Sequence, residues 1–157
     1  MAAKTEPKQK AGVPKIRNIL VPVDFSDNSS QAMKYAGGLA RHFDARLTLV
    51  HVIEPAPFIS DLRNVPTALS DEEVEARAHH ELELLIEEHA ESSIEMKEVV
   101  RQGKAYDQIA KAAKQLKADL IVISTHGYTG LKHTLLGSTA ERVVRHAACP
   151  VLVVPFI

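Results

Sequence analysis

The stretch "ADLIVISTHGYTGLKHTLLGSTAERVVRHAACPVLVVPFI" (118–157) decides the fold, because it contains one full period of a plan that runs through the chain. Residues 118–124 form an apolar run of strand length. A loop with glycines at 127, 130 and 137 follows, then a helix-like stretch from Ser138 to His146, then a second apolar run from Pro150. Short apolar runs without polar alternation suit strands that are covered on both faces. Two such strands joined through a helix are parallel neighbours, and the crossover between them is right-handed.

Working outward, the same plan recurs. "IRNILVPVDF" (16–25) reads as a central strand, and "SDNSS" (26–30) supplies N-cap side chains for a first helix. In that helix Ala32, Tyr35, Ala36, Leu39, Ala40 and Phe43 recur at helical spacing. Gly37 and Gly38 lie inside it at a cost of about 1 kcal/mol each relative to Ala, which points to close approach of another backbone. "RLTLVHVIE" (46–54) is a second buried strand, and a proline-interrupted connection (55–70) leads to a capping box, Ser70 with Glu73. The helix after it places Val74, Ala78, Leu82, Leu85 and Ile86 on one face and acidic residues on the other. "SIEMKEVVR" (93–101) alternates more than the other strands and is placed at a sheet edge. Gly103 turns the chain into a third helix, Ala105 to about Leu116, with Ile109, Ala113 and Leu116 inward. Strict alternation predicts an α/β fold: one parallel sheet with helices on both faces.

Composition sets the outer limits. With 157 residues, 45% of them hydrophobic and 25% charged, the chain suits one domain with a proper core, taken as 16–157. The stretch 1–15 offers little to bury and is expected to be a disordered tail. A net charge of −1 gives no general attraction to nucleic acid or to an anionic membrane surface. The single cysteine, Cys149, allows no internal disulfide and no C-x-x-C pair. No apolar run approaches the roughly 20 residues of a membrane span, and the first residues lack an apolar leader segment. The expectation is a cytoplasmic protein.

Ligands of such sheets sit outside the carboxyl ends of the strands, where the strand order reverses. The loop after Ser124 leaves a carboxyl end. Gly127 and Gly137 expose backbone amides, and Gly137-Ser138-Thr139 opens a helix whose unpaired N–H groups and dipole favour a phosphate. The dipole contributes about 0.3–1 kcal/mol, whereas each hydrogen bond to a charged group contributes about 1.5–3 kcal/mol, so amide and hydroxyl contacts would carry the affinity. Asp24 ends the first strand, and with strands one and four adjacent its carboxylate would stand beside this loop, able to accept from a ribose. Its alternative role is in the turn into helix one, a role open to Ser26 or Asp27 as well.

The order of elements, together with "NILVPVDFS" (18–26), "LVHVIE" (49–54) and "HGYTGLKHTLLGSTAERVVRHAACPVLVVP" (126–155), resembles the universal stress protein family. Nucleotide-binding members carry G-x2-G-x9-G-[ST]; Gly127, Gly137 and Ser138 match its second half, and Ser124 stands in place of the first glycine. The resemblance implies an open five-stranded parallel sheet in the order 3-2-1-4-5, akin to the adenine-nucleotide-binding α/β folds. It also implies an ATP site, with or without Mg. Pro22, Val23 and Asp24 would line the adenosine, Val52 would meet adenine through its backbone, and Ile123 would lie beneath it. Gly127, Gly137, Ser138 and Thr139 would hold ribose and phosphates. The apolar last strand, Val151 to Pro155, invites pairing at its bare edge, and the resemblance implies an antiparallel homodimer there.

This reading makes the chain an ATP-binding regulatory dimer of the stress response. Ser124 motivates one alternative, a dimeric interaction protein of the same fold that binds no nucleotide. Slow ATP hydrolysis is the other, with Asp24 placing a metal and Lys132 or His133 stabilising phosphate charge. The S-G-G-x-D-S, H-I-G-H, G-x-G-x-x-G and Walker signatures of related enzymes are missing. His79, His80, Glu83 and His89 fit a solvated helix face better than a metal site, and Cys149 reads as a small apolar residue.

Overall fold

A computed structural model describes residues 15–55, 69–125 and 137–155. Along the chain these form β1 (Asn18–Pro22), α1 (Asp27–Phe43), β2 (Arg46–Ile53), α2 (Asp71–Glu88), β3 (Met96–Gln102), α3 (Ala105–Gln115), β4 (Leu120–Ser124), α4 (Ser138–His146) and β5 (Val151–Val154). The five strands form one parallel sheet in the order β3-β2-β1-β4-β5. The expected architecture and edge position of β3 are both present. The expected tail up to residue 14, and most of the connection 55–70, lie outside the described residues.

Both faces of the sheet are covered, which is why the strand sequences do not alternate. On one face Ile19, Val21 and Leu49 pack with Ala32, Met33, Ala36 and Ala40 of α1 and Leu82 of α2. On the other, Leu20, Val50, Ile121 and Ile123 pack with Ile109, Ala112 and Ala113 of α3 and Ala140 and Val143 of α4. The central strands therefore bury every second residue on each side, and β1 and β4 are buried almost throughout. β3 holds no fully buried residue, as an edge requires.

The helix ends follow from their cap residues. Ser26 caps α1 by accepting the Ser29 amide at 3.3 Å. Ser70 and Glu73 form the expected reciprocal capping box: the Ser70 amide donates to Glu73 at 2.8 Å and the Glu73 amide donates to Ser70 Oγ at 3.2 Å. Gly103, with φ of 131°, makes the turn between β3 and α3.

Two expectations for α1 are corrected. Tyr35 is 59% exposed, and Met33 takes the inward position at 2%. The buried face is centred on Ser29, Ala32, Met33, Ala36 and Ala40, and Tyr35 lies outside that arc. Among the described residues the glycines also meet no second backbone. A Cβ built on Gly37 has nothing within 4 Å among the described residues, and one on Gly38 meets only the Arg41 guanidinium at 3.9 Å.

Candidate functional site

The carboxyl ends of β1, β2 and β4 define one edge of the sheet, and the strand order changes direction between β1 and β4. β1 stops at Pro22, which has no N–H to donate to a ladder. One more backbone bond follows, from the Val23 amide to the Val50 carbonyl at 2.9 Å, and the chain then turns sharply through Asp24 and Phe25 into α1. Phe25 has φ of 62°, in the left-handed region that non-glycine residues rarely adopt.

Asp24 serves this turn directly. Its Oδ1 accepts the Ser26 amide at 3.1 Å and the Ser26 hydroxyl, which orients the Ser26 oxygen that caps α1. The turn role weighed in the sequence and the cap role of Ser26 are thus one linked device. Val23 is 5% exposed, with its side chain in the core on the α1 and α2 side. Its carbonyl is 2.8 Å from Nδ1 of His51, so the imidazole donates from that nitrogen. The His51 ring lies against Phe25, centroids 4.6 Å apart. His51 and Phe25 were not singled out in the sequence, and the 28 residues between Val23 and His51 leave no local signal of their contact.

On the other side of the switch point, Ile123 is buried against the α3 and α4 face and Ser124 is half-buried. Ile123 pairs with Val153, and Ser124 with Val154, in regular parallel register. Ser124 therefore occupies an ordinary strand position, where its side chain imposes no left-handed backbone. Buried Thr125 follows, its amide donating to the Val154 carbonyl at 3.0 Å and its carbonyl accepting the Gly137 amide at 2.6 Å. That last bond fixes the start of α4 to the end of β4. Gly137 is the N-cap, with φ of −65° and ψ of 150°, and provides no side-chain cap bond. Ser138 and Thr139 are exposed in the first turn. An uncapped helix start with two hydroxyls beside it has the donor chemistry of a phosphate site. Val52, on β2 opposite Arg101 of β3, packs partly on the α3 and α4 face.

The expected residues Pro22, Val23, Asp24, Val52, Ile123, Ser124, Gly137, Ser138 and Thr139 all lie at this one edge of the sheet or at the helix start tied to it. Gly127, and with it His126, Lys132 and His133, lies outside the described residues. Among the described residues no group of three His, Cys, Asp or Glu side chains is placed to hold a metal. His79 instead bonds Glu98 of β3 at 2.7 Å, and His89 bonds the Leu85 carbonyl at 3.0 Å. Cys149 lies before β5, at the opposite end of the sheet. Burial, with a smaller contribution from the Asp119 carboxylate, pushes its thiol up from the ordinary range. No helix among the described residues is long and apolar enough to cross a membrane.

Comparison with known proteins agrees with this geometry. The profile of the universal stress protein family matches residues 15–155. A universal stress protein of Methanocaldococcus jannaschii is 36% identical over 138 residues, covering 88% of this chain and 81% of the relative. Among solved structures, the universal stress protein UspA from Lactobacillus plantarum aligns with a TM-score of 0.72 at 30% identity, over 90% of this chain and 99% of that one. A universal stress protein in complex with cAMP aligns with a TM-score of 0.61 at 26% identity, over 90% and 98% respectively.

Proposed function

The chain belongs to the universal stress protein family, and on that premise we propose that it binds an adenine nucleotide, ATP by preference, between the ends of β1 and β4. The observation that carries the reading is the adjacency of β1 and β4. It sets the Asp24 carboxylate and the start of α4 on either side of the switch point, although the chain separates them by more than a hundred residues. The bound cAMP of one structural neighbour supports the adenine nucleotide class.

In this reading Asp24 accepts from a ribose hydroxyl, and Pro22 and the Val23 backbone border the adenosine. Ile123 lies under the base, and Val52 meets its edge through the backbone. The Ser138 and Thr139 amides and hydroxyls, with Gly127 from the preceding loop, donate to phosphate oxygens. Ser124 fits the site as a strand residue rather than marking its loss. Mg2+ would accompany a triphosphate as its counter-ion. The function is regulatory: a cytoplasmic homodimer, paired through the outer edge of β5 (Val151 to Pro155), whose nucleotide occupancy reports on stress. β5 pairs only with β4 among the described strands, and Val151, Leu152 and Val153 are half-buried in the single chain, which supports that edge as the meeting surface.

Calorimetric titration with AMP, cAMP and ATP, with and without Mg2+, tests the reading on the wild type and on Gly137→Val. The Gly137 backbone is open to any residue, so the valine adds bulk at the helix start without left-handed strain. Saturable binding that Gly137→Val abolishes is the expected result. Absence of binding in the wild type would leave the nucleotide-free dimer as the function.

A further inference from the structure

Resting on that nucleotide reading, we propose that His51 is the positioning residue of the site: it holds the Asp24 turn in the conformation that receives the ribose. Phe25 takes a left-handed φ of 62° with a bulky side chain, a conformation that persists only where its surroundings enforce it. Two contacts from one side chain do so. The His51 imidazole donates from Nδ1 to the Val23 carbonyl at 2.8 Å, on the N-terminal side of Asp24. The same ring packs on Phe25, on its C-terminal side, at 4.6 Å and a tilt of 38°.

Asp24 is thus clamped between the two residues that His51 touches. His51 itself is set in β2 by regular pairing with Val100 of β3, so the clamp is built on the sheet rather than on a loop. The hydrogen bond also fixes the tautomer, with the proton on Nδ1. Asp24 is then pre-aimed, and ligand binding need not order it.

Two conservative substitutions separate the contacts. Asn places an amide N–H close to the position of Nδ1, so His51→Asn keeps the bond to Val23. His51→Phe keeps a ring against Phe25 and removes the donor. The expected result is nucleotide affinity about threefold to tenfold weaker in His51→Phe, in line with one lost hydrogen bond, and a smaller loss in His51→Asn, which gives up only the ring contact. Phe25→Gly relieves the left-handed φ but removes the ring that His51 packs on and that also packs against the core, so it should lower the urea midpoint as well as weaken nucleotide binding.

Nitrogen NMR of the wild type should show the Nδ1–H tautomer for His51. The Ser26 amide, which donates to Asp24, should exchange with solvent faster in His51→Phe than in the wild type, with no nucleotide present. Equal Ser26 exchange in the two proteins overturns the positioning role on its own. So does a nucleotide affinity in His51→Phe equal to that of the wild type. A wild type that binds no nucleotide while Ser26 exchange still responds to His51→Phe overturns the nucleotide reading instead, and with it the purpose of the clamp.

Discussion

Asp24 has a role in the fold and a proposed role in the site, and substitution should separate them. In the structure its Oδ1 accepts two hydrogen bonds from Ser26, and Ser26 in turn caps a 17-residue helix. Asp24→Asn keeps an oxygen acceptor but makes it neutral. A hydrogen bond to a charged group contributes about 1.5–3 kcal/mol and a neutral one about 0.5–1.5 kcal/mol, so the loss of stability should be about 1 kcal/mol for each of the two bonds, about 2 kcal/mol in all. Asp24→Ala removes both bonds and loosens the cap, for a loss of about 3–4 kcal/mol, at the lower end of that range because the turn is only part-buried. A domain of this size is stable by about 5–15 kcal/mol, so both variants stay folded at 25 °C. Any fall in nucleotide affinity then belongs to the site and not to unfolding. Loss of one charged hydrogen bond to the ribose predicts about 10- to 150-fold weaker binding in Asp24→Ala, with Asp24→Asn in between. Urea unfolding and calorimetric titration on the same three proteins provide both numbers. A lower urea midpoint in Asp24→Ala with unchanged affinity would refute the ligand role and leave Asp24 as a turn residue.

The bare helix face at Gly37 makes Gly37→Ala and Gly38→Ala stabilising, by about 1 kcal/mol each, because alanine lowers the backbone entropy cost and meets no hard contact. A lower urea midpoint in either would show that this face receives another backbone. Ser70→Ala breaks the capping box of α2 and should cost about 1 kcal/mol, read from the same unfolding curves; an unchanged midpoint would mean the first turn is held by other means. Ser138→Ala, at an exposed position with no cap bond to lose, should leave stability within about 0.5 kcal/mol of wild type and weaken binding of a phosphorylated nucleotide about tenfold by calorimetry. The Cys149 thiol holds its proton at pH values where the unfolded chain's thiol has begun to lose it. The stability it contributes is therefore present below the unfolded pKa and lost as pH rises through the higher native value. Its iodoacetamide rate should rise at higher pH in the native protein than in urea, and coincident profiles would contradict the burial argument.

Much of this architecture was legible because burial on both faces leaves a strong mark. Leu120 to Ile123 are all buried, and a run of that kind has no amphipathic alternative at strand length. The caps were equally plain, since Ser70 and Glu73 satisfy each other within one turn. The phase of α1 was harder. Ser29 is buried because its hydroxyl donates to the Ser26 carbonyl at 2.9 Å, so the inward face includes a polar residue, and spacing of apolar residues alone drew Tyr35 inward. The glycines misled for a related reason: their cost in a helix is local, but whether a neighbour justifies it depends on tertiary packing. The clamp around Asp24 left no trace at all, because a histidine in a β-strand reads the same whether or not its ring reaches a carbonyl of the next strand. Phe25 likewise carries no sequence mark of a left-handed φ.

The position of the proposed site follows from the sheet more than from the glycine-containing segment after β4. In a parallel sheet every strand delivers its carboxyl end to the same edge, and β1 and β4 are neighbours only because the chain returns to the centre after building β3 at the rim. The crossovers on the two sides of that junction lie on opposite faces: α1 covers one, α4 the other. A gap between them is a geometric consequence of the strand order. Each wall of the gap is then tied to the framework by backbone bonds: Val23 to Val50 on one side, Gly137 to Thr125 and Thr125 to Val154 on the other. Thr125 is the least conspicuous of these residues, yet its two backbone bonds join the edge strand β5 to the start of α4. The helix end that would hold phosphate is therefore set against the same strand that would form the dimer, and the geometry of one depends on the integrity of the other.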